Sequence, residues 1–303
     1  MRRFTGFTKR NLLLYFKDVQ SVIFSLLTSI IVFVLYLLFL KGTFLDAIEG
    51  AMQGLETLVS DTDIDMLVNG ILLTGIIGSA LITVPYNCLS TIVKDRENRV
   101  DYDILATPLR RWQIILSYFM ASTISAFFTT GVILTIGLLI LSTMGNLHMT
   151  ALSVAAAYGI TLLGAVSATA FFMIVVLFFQ SASASGAFFG ILSAAAGFVI
   201  GAYIPISQFS EGVQTFCNLF PASGITILFR NVILNGLLEE ISLSLGGIDQ
   251  GMFVESIEEC FTFRASLFGN SLSQIQSVWY VVGCTAVCLF VMILIYSKTY
   301  KRK

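Results

Sequence analysis

Six stretches of this chain contain no Asp, Glu, Lys or Arg: Ser21–Leu40, Leu67–Val93, Trp112–Thr143, Ala151–Phe179, Ala184–Ile204 and Val278–Tyr296. A helix needs about 20 apolar residues to cross the hydrocarbon core of a bilayer, and each stretch meets that length. Inside lipid the backbone must satisfy its own polar groups, which leaves helices as the form such runs take. Charges are then expected only in loops, tails and interfacial segments. Machines coupled to protons or sodium keep ionisable groups within the membrane to carry the ion. With none in these stretches, energy for any work is expected to arrive from outside the bilayer.

Composition agrees: 56% of residues are hydrophobic, 12% are charged, and mean hydropathy is +0.89. A net charge of −1 offers no electrostatic footprint for nucleic acid. Residues 1–20 are basic and amphipathic and lead into a long span, unlike a cleaved signal peptide with its shorter apolar region.

Placing the amino terminus in the cytoplasm puts segments 1–20, 94–111, 180–183 and 297–303 inside. These hold 14 of the 17 basic residues, leaving Lys41, Arg230 and Arg264 outside, with thirteen acids. The positive-inside rule therefore favours six spans with both termini in the cytoplasm.

The connecting segments are unequal. Residues 41–66 read as an outer loop with six acids, 144–150 as a tight outer turn carrying the only histidine, His148, and 180–183 as an inner turn. A lone histidine in a turn is more often an exposed polar group than a metal ligand. From Pro205 to Gln276 the chain is long, external and partly apolar. Within it, Val213–Leu238 has helical spacing of apolar residues, too polar to span and too apolar for a plain loop, which predicts a re-entrant or interfacial helix pair. Gly246–Gly251 then breaks the chain before an acidic stretch with Glu255, Glu258 and Glu259. At the amino terminus, Phe4, Phe7 and Leu14 form a stripe, and Lys9, Arg10 and Lys17 suit anionic headgroups.

The inner segment after the second span alternates charges from Lys94 to Asp103, then runs Ile104-Leu105-Ala106-Thr107-Pro108 into Arg110, Arg111 and the third span. Its acids suit the positive end of a helix dipole, and Pro108 is expected to end the helix. Such a rigid charged helix suits docking onto another protein; a solvated connector is the plainer reading.

This segment resembles the signature region of type-2 ATP-binding-cassette (ABC-2) permeases, in which Glu-Arg-Glu-x-Gly leads through a Leu-rich turn to Thr-Pro or Ser-Pro. Here the match is Asp95-Arg96-Glu97-Asn98-Arg99, then Ile104–Leu109, then Trp112, with Asp95 for the first Glu and Arg99 where the family often has Gly. A second patch, Phe216-Cys217-Asn218-Leu219-Phe220-Pro221 followed by Phe229-Arg230, resembles the family's Asn-x-x-Pro region and downstream arginine.

The resemblance implies an all-α membrane protein of six transmembrane helices that works as a dimer. The second copy would be identical or a paralogous permease. Residues 1–20 would be an amphipathic connector helix on the inner leaflet. The cytoplasmic coupling helix would lie between spans two and three and rest in a groove of a separate ATPase subunit. Asp95, Arg96, Glu97, Asp101, Leu105 and Pro108 would meet that subunit. External re-entrant helices between spans five and six would cap a gate through Asn218, Pro221 and Arg230. Spans one, two and five would line the path and the dimer seam.

The chain has no Gly-x-x-x-x-Gly-Lys-Ser/Thr loop to cradle phosphates, and no paired-carboxylate or metal-spaced constellation in a span. It is expected to be no enzyme and to hold no metal or cofactor, with ATP and Mg bound by the partner subunit.

Gly186–Gly190 and Gly197–Gly201 are small-xxx-small pairs, suited to close packing within the subunit or to a dimer seam. Pro85 is expected to kink span two and turn Asn87 towards a cavity. Phe33, Tyr36, Phe188, Phe189, Phe198 and Tyr203 would form a greasy lining. Cys88, Cys284 and Cys288 fall in spans as small apolar residues, whereas Cys217 and Cys260 are both external, where a disulfide between them is possible. The favoured function is the permease of an ABC exporter for a drug, peptide or lipid. The alternatives are an ATP-independent secondary transporter or channel, or a membrane-embedded immunity or sensor subunit.

Overall fold

The computed structural model describes residues 2–52, 58–246, 249–267 and 269–299. The basic tail Lys301, Arg302 and Lys303, the acid Glu56 and the glycine Gly247 of the predicted break lie outside them. In chain order the helices are α1 (Arg2–Lys17), α2 (Val19–Leu35), α3 (Lys41–Met52), α4 (Asp61–Glu97), α5 (Val100–Ala106) and α6 (Arg111–Met144). There follow α7 (Ala151–Val176), α8 (Ala182–Val199), α9 (Glu211–Leu219), α10 (Pro221–Ser244), α11 (Met252–Cys260) and α12 (Gln274–Thr299). One small hairpin, β1 (Ser266–Leu267) with β2 (Asn270–Ser271), is the sole departure from helix-and-loop among the described residues.

Local sequence sets the helix starts. Asp18, Ser60, Thr150 and Ser181 each cap a helix, their side chains accepting from the amides of Ser21, Thr62, Ser153 and Ala184. Helix α4 adds Asp61 and Asp63 in its first turn and Lys94 and Arg96 in its last, matching both ends of its dipole. At 37 residues it is roughly 55 Å long and stands at the centre, packed by α2, α6, α7, α8 and α10. Helices α2, α8 and α12 are peripheral, with broad exposed apolar faces.

Among the described residues seven helices are long and apolar enough to cross a membrane, not six. The sequence reading departs from the structure in two places, and the second adds the seventh span. First, 41–66 is no simple loop. Span one continues through a π-helical turn, Tyr36–Leu40, into α3, because Phe44, Ile48 and Met52 repeat every four residues and bury one stripe between the acids. Second, α10 is a single 24-residue helix carrying Arg230, so a charge does occur inside a candidate span.

Contacts fix where α10 sits. Its start is deep: Phe220, at the α9–α10 corner, packs on Phe171 at 4.6 Å, and Phe172 in turn meets Tyr86 at 5.8 Å. Tyr86 is 11 residues, roughly 16 Å, from Glu97 at the end of α4. From there α10 runs antiparallel to α4, past Gly78 at Thr226 and Gly70 at Leu234, to reach the 144–150 turn, where Gly236 abuts the His148 carbonyl. The α9–α10 corner thus dips into the bundle from the end that carries this turn.

Candidate functional site

The charged segment that the sequence marks out lies at the opposite end, beside α1. Helix α4 stops at Asn98, and Arg99 turns the chain with left-handed torsions, φ 60° and ψ 14°. That conformation is costly for any side chain but glycine's, and this is the position where the resembled motif carries Gly. Helix α5 follows with Asp101 and Asp103 in its first turn, and it ends as expected: Thr107 is extended at ψ 156°, ahead of Pro108.

Asp95, Arg96 and Glu97 project in three directions. Asp95 is only 7% exposed; it accepts two bonds from the Arg10 guanidinium, at 2.8 and 2.9 Å, and one from the Tyr118 hydroxyl. This bond to Asp95 raises the Arg10 pKa. Arg96 donates to the carbonyls of Leu177, at 2.9 Å, and Phe179, at the end of α7. Glu97 accepts from the Ala182 amide at 3.1 Å, the first residue of α8. Close by, Lys94 pairs with Asp18 at 2.8 Å, and hydrogen bonds from Lys94 and from Ser21 hold the Asp18 carboxyl down at about 2.

Asp95 is therefore no free contact for a partner; the fold has already used its carboxylate. Arg10 likewise faces Asp95 rather than headgroups, and Phe7 packs edge-on against Tyr118 at 5.2 Å instead of facing lipid. The exposed apolar face of α1 is Leu13, Leu14 and Phe16. On α5, Asp101 and Leu105 are half-buried, and Leu105 packs on the core beneath, while Pro108 is exposed. The large side chain that α5 leaves open is Tyr102, 68% exposed, which the sequence reading passed over. Its signal was present: a lone aromatic between two aspartates on a helix too short to bury both faces.

At the other end, Asn218 is buried and donates to the Ser266 carbonyl at 2.8 Å, and Pro221 opens α10 as its first residue. Arg230 is 1% exposed and has no carboxylate partner among the described residues. Its guanidinium donates to the carbonyls of Phe261 and of Thr262, Ile200 and Gly201, the last at 2.8 Å. It thus ties the carboxyl ends of α8 and α11 to α10, a cation on two negative dipole ends. Cys217 and Cys260 are free thiols, so the disulfide is not formed: Cys217 is buried on α9, and Cys260 closes α11.

The aromatic candidates separate. Phe198 and Tyr203 line a cavity of about 470 Å³ between α2 and α8, with Ile31, Leu35, Phe39 and Gly190. Phe188 and Phe189 pack on Tyr86 at 5.6 and 5.8 Å, Tyr36 is buried against Phe44, and Phe33 is exposed on α2. Asn87 donates to the Ser21 carbonyl at 2.5 Å and borders a second cavity of about 200 Å³ with Asp18 and Lys94. A Cβ on Gly186 or Gly190 would meet nothing, whereas Gly197 abuts Tyr203 and Gly201 abuts Ile206.

A family model described as ABC-2 family transporter protein matches residues 52–297. The chain belongs to that family. No curated protein matches it. It is accordingly a multi-pass membrane permease of an ABC transporter, the kind of component that carries no ATPase of its own. The matched range includes α4, α5 and the α9–α10 corner, so both regions that carried the resemblance fall within this ABC-2 permease domain.

Proposed function

We propose that this chain is the membrane half of an ATP-driven exporter, moving a hydrophobic or amphipathic drug, peptide or lipid outward. The observation that carries this reading is α5. It is a short helix at the basic end of the bundle, turned sharply out of α4 and displaying Tyr102, and aromatic anchors of this sort dominate interface energetics. Its partner is an ABC ATPase subunit that binds ATP and Mg. Arg230 does not favour an ion-coupled machine, because it faces backbone carbonyls and, among the described residues, has no acidic partner with which to exchange a proton.

In this reading the basic end is cytoplasmic and the chain crosses six times. Helices α9 and α10 then form a re-entrant pair, supported by the deep corner at Phe220 and the return of α10 to the His148 turn. Two copies, identical or paralogous, meet across α2 and α8. The open faces of Gly186 and Gly190 and the exposed Ile30 and Phe33 support that seam, since small residues let spanning helices approach closely. The α2–α8 cavity would then face the path between the copies.

The test is ATP hydrolysis by the complex reconstituted in vesicles, challenged in turn with hydrophobic drugs, lipids and apolar peptides. Stimulation by one class, with nucleotide-dependent loss of that compound from the cytoplasmic side, is the expected result. Movement of the compound by the permease alone, without the ATPase, contradicts it.

A further inference from the structure

We propose that Asp95, Arg96 and Glu97 are positioning residues, a three-way clamp that carries displacement of α5 to α1 and to the α7–α8 turn. The docking contact itself is made by the face of α5 around Tyr102. This rests on the reading that α5 meets an ATP-hydrolysing subunit.

Helix geometry separates the two roles. Consecutive residues on a helix point about 100° apart, so three in a row cannot share one docking face; residues three and four apart do. Each member instead has its own neighbour: Asp95 holds Arg10 of α1 and Tyr118 of α6, Arg96 holds α7, and Glu97 holds α8.

The chemistry of the α7–α8 turn fits the role. A cation on carbonyls just past the C-terminus of α7 and an anion on the first amide of α8 sit at helix ends of the matching dipole sign. Apart from this contact, α8 packs chiefly on α4 and weakly on α2, and it walls the α2–α8 cavity. Only Asn98 and Arg99 separate the clamp from α5. A push on α5 therefore reaches the first turn of α8 through Arg96 and Glu97, one turn ahead of the Tyr86–Ser185 hydrogen bonds that hold α8 to α4.

The experiment is hydrogen exchange on the reconstituted complex with its ATPase, with and without a non-hydrolysable ATP analogue and Mg, alongside ATPase and transport assays. In wild type, the analogue changes exchange both at residues 98–106 and at 177–186. In Arg96→Ala and Glu97→Ala the ATPase subunit stays bound and hydrolysis stays near wild type, but the change at 177–186 disappears and transport falls about tenfold, a typical coupling free energy. Glu97→Gln, whose carbonyl still accepts from Ala182, restores the response. Tyr102→Ala loses the ATPase subunit. Loss of the ATPase subunit from both alanine clamp variants, or an undiminished change at 177–186, overturns the clamp. An absence of any nucleotide response at 98–106 in wild type instead overturns the reading of α5 on which the clamp depends.

Discussion

Single residues at the basic end carry effects that substitution isolates. Arg99 sits at φ 60°, a conformation that costs a side chain roughly 1–2 kcal/mol, of which glycine's extra freedom when unfolded takes back part. Arg99→Gly is expected to raise the unfolding free energy by about 0.5–1 kcal/mol, and Arg99→Val to lower it; melting in detergent compares the two. Asp18 supplies a pH signature. Its carboxyl is held at about 2 by hydrogen bonds from Lys94 and from Ser21, below an ordinary Asp near 4. A depressed folded value means the stabilisation is complete above the unfolded value and disappears as pH falls through the folded one. The stability difference between wild type and Asp18→Asn should hold steady from neutrality down to about pH 4.5 and close towards pH 2. A difference unchanged at pH 2 contradicts the pairing. None of these partnerships could be read from the chain. Charge density at 94–103 marked the segment, but only three-dimensional packing shows that Asp95 is consumed by Arg10, 85 residues away.

Elements were more legible where one physical signal dominates. Long uncharged runs gave six of the seven candidate spans found among the described residues, and Pro108 gave the end of α5. The break at Phe220-Pro221 lies inside the stretch read as a helix pair. What escaped were places where two signals compete. In 41–52 the acids masked the Phe44, Ile48 and Met52 stripe, and the π turn that joins α2 to α3 has no sequence signature. In α10 the polar residues suggested an interfacial element, yet the helix is buried along most of its length because Arg230 finds its partners in helix-end carbonyls. That role makes a prediction at this scale. Arg230→Met leaves those carbonyls without their donor and should cost about 2–4 kcal/mol, with Arg230→Lys intermediate because it reaches fewer of them. Limited proteolysis should then open 200–210 and 260–267 before the rest of the chain. A variant as resistant as wild type shows that Arg230 does not tie α8 and α11 together.

At the scale of the whole molecule, the bundle is a central helix, α4, with the two candidate regions at its opposite ends. One end presents α5 on a set of internal ties; the other receives the α9–α10 corner and the arginine that binds it to α8. Helix α8 reaches both, through Glu97–Ala182 at its base and Gly201–Arg230 at its top. A permease of this family carries no ATPase of its own, and in the proposed reading the exposed Tyr102 of α5 is where the energy of ATP hydrolysis is applied. The most direct test places a photo-crosslinking amino acid at position 102 of the full chain in its native cells. The account predicts a single light-dependent adduct with a subunit that carries a phosphate-binding loop and hydrolyses ATP, absent when the probe is moved to the lipid-facing position 136. An adduct with no ATP-hydrolysing subunit, or modification of residue 102 by a reagent confined to the cell exterior, contradicts it.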